Sequence, residues 1–127
     1  METATKLIFI AAGGAFGAVA RYLINISPLK DLPGGFPYPT FAINIIGSFL
    51  IGFCFIALTD RFEVGDNLRF AIMVGFLGAF TTFSTFELEI WGLFRDGRHL
   101  AVFAYIFLSL LLGFLGLILG MSIAKKL

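Results

Sequence analysis

One cysteine, one histidine and few charged residues (13%) in 127 positions exclude most chemistry at the outset. Cys54 stands alone in an apolar run, so disulfides and cysteine metal sites are out. His99 sits beside Arg98 in a polar stretch, and a zinc site needs more ligands than the chain offers. Nine basic residues against eight acidic ones leave no basic patch and no charge block, so nucleic acid is not an expected partner. No segment between the apolar runs is long enough for an extramembrane domain that could carry an enzymatic reaction, so the protein is not expected to be an enzyme.

What is abundant is apolar. The hydrophobic fraction is 59%, with 17 phenylalanines and 15 glycines. A soluble chain of this length has too little interior to hide so much apolar surface, which makes the bilayer its solvent. Apolar runs cover residues 7–26, 40–58, 68–94 and 100–123, each about the length that crosses hydrocarbon. They predict a single all-α membrane domain over 1–127 with four transmembrane helices. Lys6 followed by an apolar run ending Gly17-Ala18-Val19-Ala20 has the outline of a signal peptide. Glu2 weakens its positive start, and apolar residues resume after Arg21, so it reads as a retained first span.

Four spans put both ends on one side. Lys6, Arg61, Arg69, Lys125 and Lys126 fall there, with Lys30, Arg95 and Arg98 opposite and Arg21 close to them. Orientation follows the Lys and Arg excess on the cytoplasmic side. The excess is slight here. It allows insertion either way up, with oppositely oriented copies pairing as an antiparallel dimer, or one orientation with termini inside. Small residues four apart, Gly13 with Gly17, Ser48 with Gly52 and Gly116 with Gly120, favour close helix packing and say nothing of function.

Polar residues inside spans are the functional signal. The third span holds Thr81-Thr82-Phe83-Ser84-Thr85-Phe86 at mid-length. Phe83, Phe86 and Ile90 form one helical stripe; Thr82, Thr85 and Glu89 form its neighbour. Aromatic ring edges are electropositive and approach anions favourably, although a Phe pair of this spacing also serves plain packing. Gly75 and Gly78 ahead of the threonines allow a helix break near the midplane, or a kink. Thr40, Asn44 and Ser48 form a polar stripe in the second span, and Asn44 offers two N–H donors to an anion or an interhelical hydrogen bond. Tyr105 and Ser109 add hydroxyls to the fourth span. Arg21 serves as an interfacial anchor or draws anions toward a vestibule.

These residues resemble the Fluc (CrcB) family of fluoride channels over essentially the whole chain. The matching parts are Gly13-Gly14, Gly17-Ala18 and Arg21-Tyr22; Thr40, Asn44 and Gly47-Ser48-Phe49; and Gly75-Phe76-Leu77-Gly78 running into residues 81–86, then Glu89. The resemblance implies an antiparallel, dual-topology homodimer with two pores in the plasma or inner membrane, exporting fluoride passively and so conferring fluoride resistance. It implies that Phe83 and Phe86 coordinate fluoride by their ring edges, one from each subunit, and that Asn44 helps hold it. It implies a structural sodium ion at the dimer centre, bound by the backbone carbonyls of Gly78 and Thr81. Thr40, Glu89, Tyr105 and Ser109 match the polar track and its exit, with Thr82 a further donor, and Arg21 matches the vestibule's basic residue. The chain departs from the family pattern at Pro39, at Ala79 and Phe80, and at Gly113, where many members continue the track with Ser.

Other functions fit the sequence less well. A proton-coupled small drug exporter needs a carboxylate deep in its bundle, typically in the first span, where this chain has none. A fluoride/proton antiporter would use Glu89. A scaffold would leave the hydroxyl run unexplained.

Overall fold

Runs of apolar residues that long must satisfy their backbone internally, and helices are the open-ended way to do so in lipid. The computed structural model describes residues 1–127 and is helical throughout its ordered elements. Four helical stretches are long and apolar enough to cross a membrane: Glu2–Asp31, Tyr38–Arg61, Asp66–Arg95 and His99–Ala124. The protein is thus a multi-pass membrane protein. Only 17 of the 127 residues are buried within the chain, so most of the apolar surface, including Phe16, Val19, Leu110 and Phe114, is left for lipid or a partner to cover.

The elements in order are α1 (Glu2–Asn25), a 3-10 turn (Pro28–Asp31), α2 (Tyr38–Ile56), α3 (Asp66–Phe70), α4 (Leu77–Phe80), α5 (Phe83–Arg95) and α6 (His99–Ala124). α1 starts ahead of the apolar run because Glu2, in its first turn, complements the positive helix end. Two π-helical segments, Ala57–Arg61 and Ala71–Phe76, extend α2 and join α3 to α4. The first closes with the wide-turn bond from Phe62 N–H to Ala57 O, 2.8 Å.

Two seams organise the bundle. α1 lies against the Ala71–Phe76 segment and α4. The contact is backbone to backbone: a Cβ on Gly13 would run into the Ala71 carbonyl, one on Gly17 into that of Phe76, and one on Gly75 into that of Ile10. α2 and α6 make the most extensive pairing. Gly52 abuts the Leu117 carbonyl and Gly120 the Phe49 carbonyl in the same way. Ile56, Ala57 and Ala124 cluster at one end of this seam; Phe86, Leu93 and Tyr105 cluster at the other.

Side chains tie the connections down. Lys6 pairs with Asp66 at 3.5 Å and lies 4.5 Å over the Phe70 ring. Arg61 donates to the Lys125 carbonyl near the end of α6. At the other end of the bundle Arg98 donates to the carbonyls of Gly34 and Gly35, both at positive φ, which fixes the 27–37 connection against the one before α6.

Candidate functional site

The helical path of the third span is interrupted at two residues. Thr81 (φ −80°, ψ 156°) and Thr82 (φ −148°, ψ 119°) are both extended, and helix resumes at Phe83. The hydroxyl run supplies its own repair. Thr82 Oγ1 caps α5 by accepting from Thr85 N–H at 3.3 Å, and Thr81 Oγ1 donates back to the Leu77 carbonyl at 2.8 Å.

Asn44 binds the interruption from α2. Its Oδ1 accepts from Thr82 N–H at 2.9 Å, and its Nδ2 donates to Thr82 O at 3.1 Å. Of the two donors foreseen for Asn44, one is committed to this bridge and one stays free. The same bridge releases neighbouring carbonyls. Thr82 N–H, the helical donor for Gly78 O, is taken by Asn44; Thr85 N–H, the helical donor for Thr81 O, is taken by the cap. Arg21 Nε donates to the carbonyl between them, Ala79 O, at 3.1 Å.

Phe83 and Phe86 follow directly. Their ring centroids are 6.1 Å apart at 45°, and their surroundings differ sharply: Phe83 is 73% exposed and Phe86 7%. Phe86 packs edge to face on Tyr105, centroids 4.8 Å apart. A cavity of about 300 Å³, open on one side, lies in front of the pair, lined by Asn44, Gly47, Ser48, Thr81, Thr82, Phe83, Phe86 and Ser109. Ser109 Oγ is buried and has no hydrogen-bond partner.

A second polar group sits one helical stretch along. Glu89 accepts from Thr40 Oγ1 (3.0 Å) on one carboxylate oxygen and from Tyr105 OH (2.8 Å) on the other. Thr40 and Tyr105 are almost wholly buried. Their hydroxyl protons point at Glu89, so neither is offered to a passing anion in this arrangement. Phe36, from the connection that Arg98 holds, stacks edge to face on Tyr105 at 5.2 Å and on Phe41 at 5.4 Å, closing the group from above.

The sequence-derived residues therefore fall into two sets. Asn44, Thr81, Thr82, Phe83, Phe86 and Ser109 line one cavity; Thr40, Glu89 and Tyr105 form one hydrogen-bonded cluster joined to it through Phe86. Arg21 and Gly78 stand at the interruption outside both. Of the Thr82-Thr85-Glu89 stripe, Thr85 and Glu89 share a face of α5, while Thr82 lies before the helix as its cap. Phe36 and Arg98 carried no signal in the sequence, since each acts through a loop whose course the apolar pattern does not specify.

Residues 8–121 match the family described as CrcB-like protein, Camphor Resistance (CrcB). The chain belongs to the CrcB family. Its curated relatives include the "Fluoride-specific ion channel FluC" of Hahella chejuensis, 42% identical over 120 residues and covering 94% of each chain. The protein of the same name from Phocaeicola vulgatus is 43% identical over 120 residues, 94% of this chain and 98% of its own. That from Hydrogenobaculum is 45% identical over 111 residues, 87% and 90%. The match to CrcB spans both residue sets, from α1 through α6.

Proposed function

We propose that this CrcB protein is a passive, fluoride-selective channel that lets the anion leave the cytoplasm across the plasma or inner membrane. The observation that carries the reading is the cavity beside Phe83 and Phe86 with a buried, unpartnered Ser109 hydroxyl facing it. An unmet donor at membrane depth calls for an acceptor that comes and goes. The relatives' names supply the anion.

Fluoride enters cells as the neutral weak acid HF and ionises in the less acidic interior, where the anion is trapped. A negative-inside potential drives it outward by about 2.3 kcal/mol per 100 mV, so a passive route suffices. The barrier is dehydration. The free Asn44 N–H, the Thr82 and Ser109 hydroxyls and the positive ring edges of Phe83 and Phe86 replace water, and a narrow path penalises larger halides. Glu89, with Thr40 and Tyr105 held on it, stands at the end of the track, and Arg21 raises the local positive potential.

The working unit in this reading is an antiparallel homodimer with two pores, and the interruption at Thr81–Thr82 lies near the midplane. The exposure of Phe83 supports a second copy completing the ring pair. A sodium ion at the dimer centre fits the donor set: Gly78 and Thr81 offer carbonyls without their helical donors, and Gly78 lies at an exposed position. When bound, it would supply positive charge near the anion path and join the two copies.

The test is fluoride efflux from liposomes, read by a fluoride electrode, with valinomycin carrying potassium and chloride run in parallel. Fast fluoride loss without chloride loss, needing no pH gradient and slowed by Phe83→Ile and by Phe86→Ile, is expected. Flux that appears only with a pH gradient would turn the reading into a proton-coupled exchanger built on Glu89. No fluoride flux from folded dimers would remove it.

A further inference from the structure

We propose that Ser48 is an anion donor of the permeation path, supplying from α2 the hydroxyl that α6 lacks at Gly113. This rests on the channel reading and adds a residue to it. Ser109 and Gly113 lie one turn apart on the same face of α6. Ser109 ends in a buried hydroxyl with no partner, and Gly113 ends in nothing. A Cβ added at Gly113 would meet only Ser48, 3.4 Å from its Oγ and 4.0 Å from its Cβ. The Ser48 side chain therefore faces Gly113 across the α2–α6 seam, at van der Waals distance from where a side chain at 113 would begin.

Its hydroxyl is also uncommitted. Hydroxyls inside helices commonly turn back onto the carbonyl four residues earlier, as Ser122 does onto Ile118. Ser48 makes no such bond, although the Asn44 carbonyl is available one turn back. It lines the same cavity as Asn44, Thr82 and Ser109, so an anion held there has the Ser48 hydroxyl within the same cavity wall. The donor row crosses from one helix to the other at the point where α6 has only hydrogen.

The competing explanation is packing, with Ser48 serving as a small residue that admits α6. Ser48→Ala keeps nearly the same volume and removes only the donor, so packing predicts unchanged flux. The liposome assay is run on the wild type, Ser48→Ala, Ser48→Cys, Ser48→Ala/Gly113→Ser and Ser48→Ala/Gly113→Ala, each verified as monodisperse by gel filtration. Ser48→Ala is expected to slow fluoride efflux about tenfold, equivalent to about 1.4 kcal/mol on the barrier. Ser48→Cys, a weaker donor of similar shape, falls between and covers the case in which the alanine variant misfolds. Moving the hydroxyl across with Gly113→Ser restores most of the rate, and the Gly113→Ala control does not. Wild-type flux in both Ser48→Ala and Ser48→Cys, or equal rescue by Gly113→Ala and Gly113→Ser, overturns the assignment while leaving the channel reading intact. A wild type that passes no fluoride overturns both.

Discussion

The two seams of this bundle share glycine-to-carbonyl contacts and differ in the polar side chains that accompany them. Between α1 and the Ala71–Phe76 segment, glycines bring backbone against backbone at Gly13, Gly17 and Gly75. Among α2, α5 and α6, Thr40 and Tyr105 both donate to Glu89, and Asn44 binds the Thr82 backbone just ahead of α5. In lipid there is no hydrophobic drive between apolar helices, so close van der Waals contact must hold them together. In the first seam glycines supply that contact, with Arg21 to Ala79 O and Lys6 to Asp66 as the side-chain ties at its margins. The second seam has glycine contacts of the same kind at Gly52 and Gly120, so its hydrogen-bonded polar groups are additional to the packing.

The sharpest way to break the comparison is Gly17→Leu. Its side chain would meet the Phe76 carbonyl, a backbone atom with no rotamer to yield. Overpacking of this kind typically costs about 1–3 kcal/mol and more where backbone must move. Monodisperse protein is expected to disappear from gel filtration in detergent. Asn44→Ala tests the polar seam and should act on flux before fold. Hydrogen bonds between membrane helices average about 0.6 kcal/mol, so loss of two lowers thermal stability only modestly. Fluoride efflux should nevertheless fall by an order of magnitude or more, since Thr82 loses the partner of both its backbone groups. Equal loss of stability in Asn44→Ala and Gly17→Leu would erase the distinction between the seams. The smallest effect is expected of Arg98→Ala, outside both seams. It removes two loop hydrogen bonds. A thermal midpoint lowered by a few degrees, with efflux within about twofold of wild type, would confine its role to the loop.

The four spans were legible because a bilayer imposes a length, and apolar runs of that length are conspicuous. The glycine pairs were legible as packing residues for the same kind of reason: only small side chains suit close approach. Ser84 and Thr85, in contrast, share the hydroxyl run with Thr81 and Thr82 yet lie within α5, and the run alone did not distinguish them. The distinction comes from Asn44, distant in sequence, which competes for the Thr82 backbone. Likewise, the sequence allows Glu89 to be a gate, a proton site or an acceptor for hydroxyls, and only the fold brings Thr40 and Tyr105 onto its two carboxylate oxygens. Backbone acceptors such as Ala79 O, the target of Arg21, carry no residue signature at all. The π-helical segments were equally silent, because any side chain can occupy the extra position of a wide turn.

The reciprocal clasp between Asn44 and Thr82 has a kinetic consequence. Transporters that expose a site first to one side and then to the other need a segment that swings, and swinging means exchanging one set of hydrogen bonds for another. Here both polar groups of the Thr82 peptide backbone are held by a single side chain on α2, and the residues on either side are anchored by a back-bond and a cap. Such a segment is held by four hydrogen bonds, all of which a swing would have to exchange. A conduit built around it would work without exchanging those bonds, so its throughput would scale with ion supply and driving force, and its response to warming would report the barrier to dehydrating the anion rather than a conformational cycle.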